Sequence, residues 1–340
     1  MNPVLRPTPE RLENVNPATP NLKPKLLIVE LWGLGDLVIA TPFLRAATER
    51  FDVTLLGKPF ALDLQPRLWP GVKVTPFTAP WTVFKHKYRL WRWPWLEMFR
   101  LFRRLSAERF DFDLSARWDP RDHLLLKLIG VKNRIGFPRL CSRVFLTRPI
   151  ARPGPELHRY ESWRAVAGAL NFQLPHGDKI VQPAVRGGET ILIHSGAGQP
   201  VRVWPLEHYH RLAAHLRRNG FQVQIACDPD QRDWWLRAGE TNVATPATAT
   251  ELFALIDRAG VFVGNDSGPG HLAAFCGVPT FTIFGPQLPE WIDGKACPYK
   301  PCSDYCRFPT PHCLWKVSED EVYARVEKFA AGHLALESCH

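Results

Sequence analysis

The stretch that most constrains this chain runs Val261-Phe262-Val263-Gly264-Asn265-Asp266-Ser267-Gly268-Pro269-Gly270-His271-Leu272-Ala273-Ala274. An apolar run ends in Gly-Asn-Asp-Ser-Gly, and a helix-forming apolar run follows. That pattern reads as strand, tight turn and helix N-terminus. Such a turn aims free backbone N–H groups and a positive helix dipole at one point, which suits an anion such as a phosphate. Asp266 and Ser267 stand at the turn, where side-chain oxygens cap the helix or bind a ligand hydroxyl. His271 follows one helical turn later, on the face that looks back at the turn. Taken alone, Asp-Ser-Gly reads as a capped βα turn with a surface histidine; the context of the second half turns the reading toward a ligand site.

The residues around this turn repeat its logic. Ile191–His194 reads as a strand, Ser195-Gly196-Ala197-Gly198 as a small-residue loop and 206–219 as a helix. A strand at 221–226, helices at 231–238 and 251–259, and strands at 261–264 and 280–284 follow. Ser318 with Glu321 three residues on marks the N-terminus of a last helix, 318–334. Between the Ser195 loop and its helix lies Gln199-Pro200-Val201-Arg202-Val203-Trp204-Pro205. Arg202 is placed to fork onto a phosphate. Trp204 is suited to wall a nucleotide or sugar pocket, or else to enter the core with Arg202 left exposed.

The first half has the same grammar. Lys25–Leu31 is a buried-strand pattern, Trp32-Gly33-Leu34-Gly35-Asp36 a Gly-rich turn, 37–50 a helix and 52–56 the next strand. That is a βαβ unit, and it implies a parallel sheet. Further strands are expected at 72–76, 110–114 and 133–136, and a helix at 158–170. Val38 stands where a dinucleotide fingerprint wants its third glycine, and no Gly-Lys-Ser/Thr follows, so a P-loop is excluded. Instead, Asp36 stands at the carboxyl end of the first strand, where open α/β sheets bind ligands. A carboxylate there accepts a proton from a hydroxyl, or merely caps its helix.

With 340 residues, the chain has room for two domains. The expected fold is α/β, two Rossmann-like doubly wound halves facing a cleft. Asp36 faces that cleft from one half, Ser195–Gly198 and Asp266–His271 from the other. Residues 1–22 are polar and Pro-rich, and read as a disordered leader. No apolar run approaches the roughly 20 residues that span a bilayer, which makes the cytoplasm the default compartment. The net charge of +10 favours anionic partners.

Residues 81–105 concentrate aromatic and basic side chains: Trp81, Lys85, Lys87, Arg89, Trp91, Arg92, Trp93, Trp95, Phe99, Arg100, Phe102, Arg103 and Arg104. Beyond Pro94 the spacing of Leu96, Phe99, Phe102 and Leu105 is amphipathic. Trp seeks the headgroup region of a membrane and Arg or Lys attracts anionic lipid, so the segment reads as a membrane-surface or anionic-glycolipid contact. Single-stranded nucleic acid and a core-facing helix are the alternatives. Of eight cysteines, Cys297, Cys302, Cys306 and Cys313 cluster near His312. Their spacing fits no standard zinc pattern, which leaves a structural zinc cluster and a Pro-rich loop with packed thiols both open.

Three motifs together carry a resemblance. Gly35-Asp36 with Thr41-Pro42, Arg202-x-Trp204-Pro205, and Asn265-Asp266-Ser267-Gly268-x-x-His271 with Gly277-Val278-Pro279 and Phe284-Gly285 occur in the order found in glycosyltransferase family 9, which includes the ADP-heptose:lipopolysaccharide heptosyltransferases. The cysteine-containing tail is similar as well. Arg202 replaces the family's usual lysine, and Glu30 stands where a basic residue is common. The resemblance implies a GT-B fold whose final helix crosses back. The domains would be an acceptor domain at 23–178, a nucleotide-sugar domain at 179–317, and the helix and tail at 318–340.

It further implies inverting, metal-independent transfer without a cofactor. Asp36 would be the base; Ser195, Gly196, Gly198, Arg202, Trp204, Asp266, Ser267, Gly268 and His271 would bind the donor, expected to be ADP-heptose. The acceptor would be an anionic membrane glycolipid such as a lipopolysaccharide core, met on the cytoplasmic face of the bacterial inner membrane. No nucleic-acid partner is expected. Another nucleotide-sugar enzyme, or a catalytically silent nucleotide- or glycolipid-binding protein, is the alternative.

Overall fold

Lys25–Glu30 (β1) is an apolar run between a lysine and a glutamate, and after Lys25 every residue of it is buried. A strand buried on both faces needs neighbours on both edges and helices above and below. Both are present. The structure, a computed structural model, describes residues 23–82, 89–154, 157–176, 188–284, 314 and 317–334.

In the first half β1 is followed by α1 (Leu34–Thr48), β2 (Asp52–Gly57), α2 (Ala61–Leu68), β3 (Lys73–Pro76), α3 (Trp95–Ala107), β4 (Phe112–Ser115), α4 (Pro120–Ile129), β5 (Asn133–Gly136), β6 (Arg148–Pro149) and α5 (Tyr160–Ala169). The sheet order is β3-β2-β1-β4-β5-β6, and every pairing is parallel. The second half holds β7 (Thr190–His194), α6 (Leu206–Arg218), β8 (Gln222–Ala226), α7 (Arg232–Arg237), β9 (Val243–Ala244), α8 (Ala249–Ile256), β10 (Ala259–Asn265), α9 (Gly268–Phe275), β11 (Thr280–Ile283) and α10 (Glu319–His333). Its order is β11-β10-β7-β8-β9, again all parallel. The sequence-derived strands and helices fall on these elements within a few residues. β6 and β9 have two residues each, too few for a pattern to show.

In both sheets the strand order reverses beside the first strand. The chain winds from β1 to β2 and β3 on one side and resumes at β4 on the other; β7 likewise has β8 on one side and β10 on the other. The crevice for a ligand opens at the carboxyl ends flanking each reversal. Those ends carry Trp32–Asp36 and Ala116–Arg117 in the first half, Ser195–Gly198 and Asp266–Ser267 in the second.

The packing sets how the halves meet. One apolar core joins α1, α5 and one face of the first sheet to α8, α9 and one face of the second: Phe43, Trp163 and Phe172 belong to the same cluster as Phe253, Ile256, Phe262 and Leu272. Charged groups fasten its edge. Arg67 forks onto Asp257 at 2.7 and 2.6 Å and lies over the Phe253 ring, and Asp63 accepts the Ala249 N–H at 3.2 Å at the start of α8. A second core lies between the second sheet and α6, α7 and α10, and a third covers the outer face of the first sheet beneath α3 and α4.

The buried face of α10, Val322, Val326 and Ala330, is part of the second half's core. Among the described residues that face covers its own half, where the resemblance implies a final helix crossing back. Ser318 caps α10 by accepting the Glu321 N–H at 3.5 Å. The expected leader 1–22, the domain boundary at 178/179 and the four clustered cysteines lie outside the described residues. Among the described residues no helix is long and apolar enough to cross a membrane, and no group of three or more His, Cys, Asp or Glu is placed to hold a metal.

One buried group makes stability depend on pH. Asp113 on β4 is fully buried, and among the described residues neither carboxylate oxygen has a hydrogen-bond partner. Burial pushes its pKa up to about 9, with only partial opposition from Arg134. The folded chain keeps a proton that the unfolded chain releases near the ordinary value of 3.8. Stability therefore falls as pH rises between those two values, by at most about 1.4 kcal/mol per pH unit. Urea midpoints of wild type and Asp113→Asn measured at pH 5 and pH 8 should show the variant gaining on wild type at the higher pH.

Candidate active site

Two helix N-termini confront each other across the interface. Gly35, in the first turn of α1, lies so close to His271 that a Cβ there would sit 2.7 Å from the ring. Gly268, at the start of α9, lies against Leu34, where a Cβ would come within 2.7 Å of the Leu34 Cβ. Only glycine allows either approach without displacing a neighbour. The positive ends of α1 and α9 are thereby held together, an arrangement that favours negative charge between them.

Asp36 supplies some of that charge. Its Oδ2 accepts the Gly33 N–H at 3.0 Å, which is the capping role. Its Oδ1 is ion-paired to Arg117 and lies 3.8 Å from the Arg159 Nε. Glu30, at the buried end of β1, joins the same two guanidiniums, 3.7 Å from the Arg117 Nε and 3.4 Å from the Arg159 Nη2. Burial raises the Glu30 pKa against the pull of Arg117. Burial works against the Arg117 charge, but Asp36 and Glu30 override it and hold that group above its ordinary value. For Arg159 burial wins, helped by Arg117, and its pKa is lowered. Arg117 also lies over the Trp32 ring, 4.8 Å from its centre.

The sequence reading missed Arg117 and Arg159. The available signal was positional: Arg117 follows directly on β4, the strand across the reversal from β1. Glu30 adds a buried negative charge at the end of β1, and the two arginines bring positive charge to it from other elements.

In the second half, Asn265 organises the loops. Its Oδ1 accepts the Trp204 N–H and the Tyr209 hydroxyl, both at 2.9 Å, and its Nδ2 donates to the Ser195 carbonyl at 2.8 Å. One buried amide thus ties the loop after β7, the start of α6 and the end of β10 together. In the sequence Asn265 is only one position of a motif; its role shows once its three partners come from three elements.

Asp266 lies next to it, half-buried, with the Arg202 Nη1 at 3.4 Å and the His271 Nε2 at 3.6 Å. Burial would raise its pKa, but His271 and Arg202 outweigh burial and hold the carboxyl below the usual range. The Ser267 hydroxyl is buried at the N-cap of α9 and has no hydrogen-bond partner among the described residues. Pro269 removes one N–H from the first turn, which leaves those of Gly268 and Gly270.

Several expected donor contacts are corrected. Trp204 does not wall a pocket. It is fully buried and packs edge-on against Tyr209 and His208, because Pro205 and Asn265 turn it into the second core. The Ser195 hydroxyl is also engaged internally: it donates to Gln231 at 2.8 Å and accepts from the Trp235 indole at 3.0 Å. Gly196 is a glycine because the Asp228 carboxylate fills the place of a Cβ, whereas Gly198 borders open space. The structure therefore brings Asp36, Arg202, Asp266, Ser267, Gly268 and His271 to one cleft, with Ser195 and Trp204 behind it.

The aromatic and basic segment divides in the same way. Trp93 packs between Trp81 and Trp95, with ring centres at 5.7 and 5.2 Å, and Met98 and Leu105 are buried beneath α3. Trp93 is thus half-buried and packs against the third core rather than standing free on the surface. Trp91 is 79% exposed and Leu96 and Phe99 are each 59% exposed. Arg89, Arg92, Arg100 and Arg103 are exposed beside them. Leu96 and Phe99 thus leave the stripe that their spacing shared with Leu105, because Met98 fills the inward position. Lys85 and Lys87 lie outside the described residues.

Two facing doubly wound domains, with their ligand crevices meeting at paired helix N-termini, are the architecture of the GT-B glycosyltransferases. The chain belongs to glycosyltransferase family 9 (heptosyltransferase), whose family model matches residues 98–323. Lipopolysaccharide heptosyltransferase 1 of Pseudomonas aeruginosa is 25% identical over 288 residues, 78% of this chain and 79% of that protein. Lipopolysaccharide heptosyltransferase 3 of Escherichia coli K12 is 33% identical over 104 residues, 28% of this chain and 30% of that protein. The chain thus matches under a third of that relative's length. Among solved structures, E. coli heptosyltransferase WaaC with ADP-2-deoxy-2-fluoro heptose is similar at a TM-score of 0.66 and 19% identity, covering 89% of this chain and 99% of that one. This last likeness shows the fold.

Asn265 provides the test of the site's construction. Asn265→Ala leaves the Trp204 N–H, the Tyr209 hydroxyl and the Ser195 carbonyl without their partner, at a cost of about 2–4 kcal/mol. The denaturant midpoint should fall accordingly, with far-UV circular dichroism unchanged in the folded baseline.

Proposed function

We propose that the protein is an inverting, metal-independent glycosyltransferase that moves heptose from ADP-heptose onto a lipopolysaccharide core or a similar anionic membrane glycolipid. The observation that carries this reading is the position of Asp36. It sits at the α1 N-terminus, fixed by Arg117, against the α9 turn that suits a diphosphate. WaaC is described with an ADP-heptose analogue, and the relatives are lipopolysaccharide heptosyltransferases by name.

In this reading the Gly268 and Gly270 N–H groups and Arg202 hold the donor diphosphate. Asp266 accepts hydroxyls of the donor sugar, and Arg117 aims the Asp36 carboxylate. Asp36 takes the acceptor hydroxyl proton as that oxygen attacks the anomeric carbon. The bond to the diphosphate breaks on the opposite face through an oxocarbenium-like transition state, and the configuration inverts. Charge growing on the leaving group is met by fixed dipoles and a guanidinium, so no metal is required for that step. The exposed Trp91, Leu96 and Phe99 with Arg92, Arg100 and Arg103 seat the enzyme on an anionic leaflet. The Asp36 bond to the Gly33 N–H favours the competing reading, a silent binding protein in which Asp36 only caps α1.

Transfer from ADP-heptose to truncated lipid A–core acceptors should be insensitive to EDTA. Asp36→Ala should lower it by about 10²–10⁴-fold while donor binding persists. Binding of ADP-heptose without transfer in either protein favours the silent reading, and absence of both rejects this donor and calls for a screen of other nucleotide sugars. Cosedimentation with anionic vesicles should weaken in Arg100→Glu/Arg103→Glu and at high salt, and vesicles of neutral lipid should bind little.

A further inference from the structure

Glycosyl transfer also needs the acceptor held in place, and this inference rests on the reading of Asp36 as its base. Beside Asp36 the first half has a cavity of about 160 Å³, lined among others by Arg117, Trp118, Arg152, His158 and Arg159. Ligand pockets for whole drug-sized molecules are several times larger. This cavity takes one chemical group, not a nucleotide sugar.

Its charges are unevenly matched. At the inner end, Arg117 and Arg159 are paired with Asp36 and Glu30. At the outer end the guanidinium of Arg152 lies over the Trp118 ring, 3.1 Å from its centre, and Arg139, which does not line the cavity, lies over the same ring at 4.7 Å. Among the described residues neither has an ion pair or a side-chain hydrogen bond. The charge of Arg139 adds to burial in lowering the proton affinity of Arg152. A guanidinium stacked on an indole keeps its N–H edge free for a forked bond to a carboxylate or phosphate.

His158 completes the wall. Its Nδ1 accepts the Tyr160 N–H at 3.2 Å, which leaves Nε2 as the protonated nitrogen of the neutral ring. Burial, and then His271 across the interface, hold His158 toward that neutral form. The cavity thus collects donors and positive charge in excess of its carboxylates, one residue away from the proposed base.

We propose that this cavity binds one anionic group of the acceptor, a phosphate monoester or a carboxylate. Arg152 grips that group, with the charge of Arg139 on the same indole in support, and thereby sets the acceptor hydroxyl against Asp36. Trp118 holds the two like-charged side chains in place before the anion arrives. Arg117 joins the two tasks, because it lines the cavity and contacts Asp36.

The test uses the full chain as wild type, Arg139→Ala/Arg152→Ala and Arg202→Ala, with thermal melts to confirm folding. Because the α9 turn also suits phosphate, the subsite is read from the difference between wild type and double variant in calorimetric titrations with inorganic phosphate and with acetate. The double variant should lose binding of the preferred anion by about tenfold or more, whereas Arg202→Ala, on the donor side, should retain it. Preference for phosphate assigns a phosphorylated acceptor, and preference for acetate a carboxylated one. With acceptors matched except for the anionic group, the double variant should raise KM for the charged acceptor about tenfold, leave kcat nearly unchanged, and leave the neutral acceptor unaffected. Equal anion binding by wild type and double variant, or the same rise in KM for the neutral acceptor, would overturn the proposal. Loss of anion binding in the double variant, with no transfer to any glycolipid, would uphold the subsite while the transfer reading failed.

Discussion

The close approach of two helix N-termini is the constraint on which this structure depends. Gly35 against His271 and Gly268 against Leu34 leave no space for a side chain, so the halves meet with helix dipoles pointing into one small volume. Unopposed, that arrangement is electrostatically unfavourable. It is offset by the apolar area buried in a core shared between the halves and by acids set at both turns, Asp36 on one side and Asp266 on the other. Both helix N-termini therefore present their positive ends to the same small volume.

The acids are in turn held by arginines from distant elements. Arg117 comes from the end of β4, Arg159 from the turn before α5, and Arg202 from the loop before α6. Each carboxylate therefore has a fixed direction rather than a mobile one. Behind them, Asn265 and Ser195 satisfy the buried polar groups of the second-half loops, and Trp204 and Trp235 close the core beneath. The site residues face the cleft because these residues behind them are fully engaged inside.

The outer face of the first half has a different character. Trp91, Leu96 and Phe99 stand exposed above Met98 and Leu105, and the arginines of α3 surround them. A helix with apolar groups on two faces cannot bury both against one sheet. One face forms the third core, and the other stays exposed among the arginines.

Sequence alone determined the α/β class, the two parallel windings and the turns at Asp36 and Asp266–His271. These follow from local rules: apolar runs at strand length, glycine at tight turns, and helix-forming runs after them. Only tertiary structure decided which residues of those motifs touch the cleft. Ser195 and Trp204 sit inside their motifs yet turn inward, because Gln231, Trp235, Asn265 and Tyr209, all distant in sequence, supply their partners. Arg117 and Arg159 carry no motif and turn toward Asp36: parallel pairing of β1 with β4 brings Arg117 there, and the packing of α5 against α1 brings Arg159. A local pattern fixes where a side chain starts along the chain; its neighbours are set by contacts between elements far apart in sequence, and those contacts decided the composition of the site.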